Sequence, residues 1–256
     1  MNGSRDLFDL SGSVALVTGG SSGIGRRIGL ALACAGAAVV LLARRADKLE
    51  DARGEIGEAG GRAACLAADI EDTAALEGIA AAAAGAFGAP DIVVNAAGVN
   101  LREPVGDVTV ESWNRTLALN LTAPFFLSRA LVPGMQARGR GKIVNIASLQ
   151  SVRAFANGIA YGASKGGVVQ LTRAMAEAWS RLGITCNALA PGFFPTGLTA
   201  PLFGDDAMLQ RLAAQTAIGR NGELSDIDGP AVFLAAPASD YITGQVIFVD
   251  GGFTAK

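Results

Sequence analysis

Val14-Ala15-Leu16-Val17-Thr18-Gly19-Gly20-Ser21-Ser22-Gly23-Ile24-Gly25 runs from an apolar stretch through a glycine-rich turn into the helical pattern of residues 24–35. A short apolar run that stops at glycine reads as a buried strand. Glycines at 19, 23 and 25 let the backbone turn tightly and come close to a ligand. A helix opening directly after such a turn offers free N–H groups and a positive dipole end to an anion. Strand, glycine turn and helix in that order are the context a dinucleotide-binding fingerprint requires. A plain glycine turn is the bland alternative, and the flanking elements argue against it.

The same alternation continues outward from this turn. Strands are expected at residues 38–42, 63–67, 92–95, 142–147, 185–190 and 245–249. Helices are expected at 47–58, 73–87, 111–137 and from Tyr161 to about Leu182. Pro124 falls inside the third of these and should kink or divide it. The chain is uncharged from Ile28 to Ala43, which is too short for a membrane span. Gly36 splits it into a helix and a buried strand. Strands alternating with helices predict one α/β domain over residues 1–256, a parallel sheet covered on both faces. Residues 193–217 break the alternation. They follow a strand's carboxyl end, so a lid over a cleft is expected there.

Composition narrows the chemistry. The chain has 256 residues, 50% hydrophobic and 17% charged, enough to bury a sizeable core. A net charge of −2 gives no reason to expect nucleic acid or an anionic membrane as partner. Histidine is absent, which removes Ser-His-Asp hydrolysis, histidine base chemistry and most zinc sites, so no metal is expected. Cys34, Cys65 and Cys186 lack metal-ligand spacing and read as small buried hydrophobes in a reducing, cytoplasmic compartment. Residues 1–13 lack the apolar run of a leader peptide.

A chain without histidine needs another proton donor. Tyr161-Gly162-Ala163-Ser164-Lys165 supplies one candidate. Residues four apart share one helix face, about 5–6 Å apart at Cβ. An ammonium beside a phenol favours its charged form, which should lower the tyrosine's pKa and make it a usable acid or base. A surface pair on an amphipathic helix is the alternative for this motif taken alone.

Three further features weigh on that choice. Ser148 follows the apolar run 143–147, Asn120 stands in Leu119-Asn120-Leu121, and Thr18-Gly19-x3-Gly23-x-Gly25 stands near the start. With Asn95-Ala96-Ala97-Gly98 and Pro191-Gly192, the set resembles the short-chain dehydrogenase/reductase family, in its main branch of about 250 residues, over nearly the whole chain. The resemblance implies a single-domain Rossmann fold with a seven-stranded parallel sheet. It implies an enzyme that moves a hydride between a nicotinamide cofactor and a carbonyl or alcohol.

The resemblance also assigns residues. Tyr161 would be the proton donor, and Ser148 would hold the reacting oxygen. Lys165 would tune the tyrosine and bind the nicotinamide ribose, and Asn120 would fix a water beside the lysine. Gly19, Ser21, Ser22, Gly23, Ile24 and Gly25 would cradle the pyrophosphate. Asp69 and Ile70 would meet the adenine. Asn95 and Gly98 would border the cofactor, with a purely structural role also open to Asn95. Pro191, Gly192 and Thr196 would hold the nicotinamide end.

The strand run Val39-Val40-Leu41-Leu42-Ala43 ends at Arg44, where NAD enzymes place an acid for the ribose 2′-hydroxyl. A guanidinium there favours NADP(H) through charged hydrogen bonds to a 2′-phosphate. NAD(H) stays possible, because Arg44 could merely stack on adenine and Ser22 is not basic.

Within the family the chain looks closest to gluconate 5-dehydrogenase-like members and to polyol and ketone reductases. Arg102, Gln150, Arg153, Asn157 and Phe193 would line the pocket of a small-molecule substrate, such as a sugar acid, polyol or ketone. Two rivals stand beside this reading: a 3-ketoacyl-carrier-protein reductase, and a catalytically inactive NAD(P)-binding sensor. Family likeness also implies a homotetramer.

Overall fold

The structure, a computed structural model, describes residues 7–256; residues 201 and 202 are described by backbone alone. The stretch read for a leader peptide therefore lies partly outside the described residues. Seven strands form one wholly parallel sheet: β1 Val14–Thr18, β2 Ala38–Ala43, β3 Arg62–Ala67, β4 Ile92–Asn95, β5 Gly141–Ile146, β6 Ile184–Pro191 and β7 Val246–Val249. Their order is β3-β2-β1-β4-β5-β6-β7. The direction of winding reverses between β1 and β4, so a crevice opens at the carboxyl ends of these two strands.

The strands are apolar on both faces because both faces are covered. Along β1, Ala15 and Val17 enter one core while Val14 and Leu16 enter the other. Val39 and Leu41 of β2 likewise face away from Val40 and Leu42. The first core is closed by helices α1 Gly23–Cys34 and α2 Ala46–Glu58. The second is closed by α3 Leu76–Phe87, by the helix that follows β4, and by the helix that follows β5. Burying each such leucine or valine contributes roughly 1.5–3 kcal/mol.

The helix expected at 111–137 is divided, as Pro124 predicts. It consists of α4 Val110–Leu117, a π-helical turn Ala118–Thr122 and α5 Ala123–Arg138. The amide of Ala123 donates to Ala118, five residues back. Proline has no N–H to give the carbonyl four residues earlier, which is that of Asn120. The wide turn is where π geometry commonly marks function.

The chain then runs through β5 into α6 Ile159–Trp179, which carries Tyr161. After β6, residues 193–217 hold two short helices, α7 Ala200–Phe203 and α8 Asp206–Gln215. Neither of these helices was expected from the sequence, nor was α9 Asp228–Ala235, packed against α1. Its eight residues and its Gly229-Pro230 opening leave too little periodicity to detect.

Candidate active site

A cavity of about 600 Å³ opens at the carboxyl ends of β1, β4, β5 and β6. Its inner end is the glycine turn after β1, with Gly19, Ser22, Gly23, Ile24 and Gly25 in its wall. A Cβ on Gly25 would lie 2.5 Å from the Gly19 carbonyl oxygen, so only glycine allows the helix to start this close to the strand. Ser22 makes no side-chain bond to the first turn of α1, and no acid stands there. The first N–H groups thus remain free for an anion, with the dipole behind them.

Ser148 stands two residues past the end of β5 and caps a 3-10 turn, Leu149–Ser151. Its Oγ accepts from the Gln150 amide at 3.1 Å. That leaves the hydroxyl's own hydrogen for an oxygen in the cavity. Ser151 Oγ in turn donates to the Lys165 carbonyl at 2.8 Å, fastening this turn to α6. Tyr161 and Lys165 sit one turn apart on α6, and Lys165 Nζ lies 5.7 Å from the centre of the tyrosine ring. The ammonium is buried and donates to the Ile146 carbonyl at 2.6 Å. Burial brings its pKa down to about 8.

The lowered tyrosine pKa expected from Lys165 is corrected here. Burial pushes the Tyr161 phenol up, while the Ser148 hydroxyl and the Arg102 charge pull the other way. One of the lysine's three protons is bonded to the Ile146 main-chain carbonyl.

Asn120 Oδ1 accepts from Val99 N at 2.8 Å, and Nδ2 donates to Val99 O at 2.9 Å and to Ser164 Oγ at 3.0 Å. The side chain thereby joins the loop after β4 to α6 and has no donor left for a water. The expectation that Asn120 fixes a water therefore rests on an acceptor, the second lone pair of Oδ1. A Cβ on Gly98 would lie 3.1 Å from Asn120 Oδ1 and 3.7 Å from Lys165 Nζ. Glycine there keeps the passage between the two ends open.

Asn95 is not part of the cavity wall. Its Nδ2 donates to Ser128 Oγ at 3.1 Å and Asn145 Oδ1 at 2.8 Å, and Asn145 donates to Thr172 Oγ1 at 2.9 Å. This buried chain ties β4 and β5 to α5 and α6, the structural alternative left open for it. Ser21 is buried behind the turn, outside the wall. Arg44, Asp69 and Ile70 also lie outside it, on the shelf just past β2 and β3. Arg44 Nη1 stands 3.7 Å from Asp69 Oδ2, with both side chains largely exposed. Ile70 packs into the second core.

Pro191, Gly192 and Thr196 line the cavity below β6. Thr196 N donates to Thr199 Oγ1 at 3.0 Å, which folds this stretch into a tight loop. The outer end holds Arg102, Gln150, Asn157 and Phe193. Arg102 and Asn157 both have left-handed backbones, φ 55° and 59°. Such conformations in non-glycine residues cluster at functional sites. Arg102 Nη2 donates to the Leu198 carbonyl at 3.2 Å, while its Nε is buried with no partner. Arg153 does not line the cavity: it turns outward and donates to the Lys256 carbonyl at 3.1 Å. Sequence proximity to Ser148 suggested otherwise, but the 3-10 turn directs this side chain to the surface.

Sequence reading did not single out Asn100, Leu149, Phe155 or Leu198, nor Met208 and Leu212 of α8, all of which line the cavity. Met208 and Leu212 are four apart on a helix, which was a usable signal. Among the described residues no Asp or Glu lines it, and its cations are Arg102 and Lys165.

Comparison with known proteins agrees with this geometry. A family model described as Enoyl-(Acyl carrier protein) reductase matches residues 19–254. The chain is 42% identical to gluconate 5-dehydrogenase of Gluconobacter oxydans over 252 residues, 98% of each chain. It is 40% identical to galactitol 2-dehydrogenase (L-tagatose-forming) of Cereibacter sphaeroides over 254 residues, again 98% of each. Among solved structures it resembles a gluconate 5-dehydrogenase from Burkholderia cenocepacia in complex with NADP and tartrate. That match has a TM-score of 0.94 at 38% identity and covers 99% of this chain and 100% of that one.

Proposed function

The chain belongs to the short-chain dehydrogenase/reductase family, and on that premise we propose that it interconverts an alcohol and a carbonyl on a small hydroxylated acid, with NADP(H) as the favoured cofactor. The observation that carries the substrate reading is the wall of the outer cavity. Among the described residues it has no acidic side chain, and one guanidinium there keeps a buried, unpartnered Nε. A carboxylate supplies the acceptors that such a group lacks. Relatives named for gluconate and galactitol support a sugar acid or polyol.

The cavity fits a nicotinamide dinucleotide. The uncapped N–H groups from Gly23 to Gly25 suit its pyrophosphate. Asp69 and Ile70 would meet the adenine, and Arg44 the 2′-phosphate. Pro191, Gly192 and Thr196 would hold the carboxamide end, with Tyr161 and Lys165 at the ribose and Gly98 giving clearance. When bound, the cofactor supplies the hydride.

The chain's own groups do the rest. In reduction, Tyr161 gives its phenolic proton to the carbonyl oxygen. Its raised pKa keeps that proton in place until the oxygen becomes basic. Ser148 donates a hydrogen bond to the same oxygen as negative charge develops on it. The Lys165 ammonium and the Asn120 Oδ1 flank Gly98, and the lysine returns a proton to the tyrosine through a water that donates to that Oδ1. In oxidation each transfer reverses. Residues 193–217 act as the lid: Leu198, Met208 and Leu212 cover the cavity, and Arg102 is bonded to Leu198.

A homotetramer in the cytoplasm completes the reading. Val110 at the start of α4 and Ile159 at the start of α6 are exposed apolar residues, which supports an interface there. Three unpaired thiols support a reducing compartment. The purified protein should be assayed with NADP(H) and NAD(H) against gluconate-type acids, neutral polyols and acyl ketones. Highest kcat/KM on a hydroxy acid with NADP(H) is expected. Activity confined to acyl ketones would replace this reading with the ketoacyl one.

A further inference from the structure

Three phenylalanines from distant parts of the chain meet behind the outer cavity. Phe155 follows β5, Phe193 follows β6, and Phe253 lies in the closing segment. Ring centroids are 6.0 Å apart for Phe155 and Phe193, 5.5 Å for Phe193 and Phe253, and 6.2 Å for Phe155 and Phe253. The first two pairs are edge-on, and the third is closer to parallel. Phe155 and Phe193 line the cavity, whereas Phe253 is buried behind them and touches none of its space.

We propose that Phe253 is a positioning residue for the substrate: it sets the width of the outer cavity by holding Phe155 and Phe193, and residues 250–256 are the clasp that keeps it there. The proposal rests on the reading above that the outer cavity takes the substrate.

The clasp is built from named bonds. The Asp250 carboxylate accepts from Gly252 N and Thr254 N at 2.9 Å and from Thr254 Oγ1 at 2.7 Å, folding the segment tightly around Phe253. The Gly251 carbonyl accepts from Ala217 N at 2.8 Å and Ile218 N at 3.1 Å, so the segment is stitched to the end of the lid. Lys256 Nζ donates to the Thr216 carbonyl at 3.0 Å, a second tie to the same place. On the other side, Arg153 Nη2 donates to the Lys256 carbonyl, a tie to the loop that carries Phe155. The segment thus bridges the two pieces of chain that form the outer wall. This gives Arg153 a role, since it does not face the substrate.

The effect on binding follows from packing. A ring packed against two others fixes their tilt, and a second space of about 270 Å³ bordered by Phe193 and residues 250–252 leaves Phe193 room to move once Phe253 is gone. Phe155 and Phe193 each have an open side toward the cavity, so removal of Phe253 lets both fall back. The pocket widens, while the glycine turn and Lys165 at the inner end stay where they are.

Phe253→Ala and Phe253→Leu should be compared with wild type by steady-state kinetics, dinucleotide titration and amide hydrogen exchange of the free protein. For the alanine variant, substrate KM should rise about fivefold or more with kcat within about twofold. Dinucleotide Kd should be unchanged, and exchange should quicken in 149–157 and 193–199. Leucine, which refills most of the volume, should restore most of the KM. Equal loss in KM, kcat and dinucleotide Kd, or unchanged exchange in 149–157, overturns the proposal. If Phe253→Ala does not fold, Arg153→Ala cuts one exposed tie of the clasp. A smaller KM rise with quicker exchange in 149–157 supports the clasp, and no change in either overturns it. If wild type turns over no small acid or polyol, the functional reading fails, and the exchange measurement alone still decides the position of the wall.

Discussion

Lys165 Nζ, on the second turn of α6, donates a 2.6 Å hydrogen bond to the carbonyl oxygen of Ile146, the last residue of β5. Ser148 stands two residues past that carbonyl. One bond therefore fixes the helix that carries the tyrosine against the strand that delivers the serine. It also spends one of the ammonium's three protons on the scaffold and leaves two for the cavity.

The lysine's burial sets a pH dependence. With its pKa depressed to about 8, the ammonium is present below that value and is lost as pH rises through it. The raised tyrosine stays protonated over the same window. The reductive kcat/KM, which reports the free enzyme, should fall above about pH 8. Lys165→Arg keeps its charge and should move or erase that limb in whatever activity remains. A flat wild-type profile to pH 10 would contradict this.

Arg102 separates acid from neutral substrates. A hydrogen bond to a charged group contributes about 1.5–3 kcal/mol, so Arg102→Ala should cost roughly 10- to 100-fold in kcat/KM on a hydroxy acid. A neutral ketone of equal size should lose only a few-fold, from the broken tie to Leu198. Equal losses on the two would assign Arg102 to lid structure alone.

Arg44 governs the choice of dinucleotide. Its ion pair with Asp69 is long and solvent-exposed, so it holds the guanidinium only weakly. A 2′-phosphate offers two charged hydrogen bonds in its place. Wild type should prefer NADP(H), and Arg44→Asp should shift the kcat/KM ratio toward NAD(H) by about tenfold or more. An unchanged ratio would show that Arg44 only stacks on the adenine.

The buried amide chain is a matter of stability rather than chemistry. Asn145→Ala removes one hydrogen bond each from the buried Asn95 amide and Thr172 hydroxyl, which keep Ser128 and Val168 as partners, at about 0.5–1.5 kcal/mol for each bond lost. Urea unfolding should show that loss while dinucleotide affinity of the folded protein is kept. A large loss of affinity at full stability would return Asn95 to the cofactor site.

The parts of the site visible in the sequence are those whose backbone dictates them. The glycine turn, the strand ends that present Ser148 and Pro191, and the one-turn spacing of Tyr161 and Lys165 all follow from local pattern. Pro124 announced a break in its helix, but residue propensities do not distinguish a π turn from a kink, so the π geometry around Asn120 stayed hidden. Arg153 was misplaced because nearness in sequence to Ser148 says nothing about where a side chain points after a 3-10 turn. Phe253 was invisible as a neighbour of Phe155 because nearly a hundred residues separate them, and only β6 and the lid bring them together. Lys165 was expected to act on the phenol by charge, whereas burial dominates both groups once the sheet closes over them.

The central claim is that Tyr161 passes the proton and that dinucleotide binding does not need its phenolic hydrogen. Tyr161→Phe removes the phenolic proton and little else. The measurement is kcat with the preferred hydroxy acid, beside dinucleotide Kd, for wild type and variant. The account predicts a fall in kcat of about 10²–10⁴-fold with Kd changed by no more than about threefold. A variant that keeps half of the wild-type rate would contradict it.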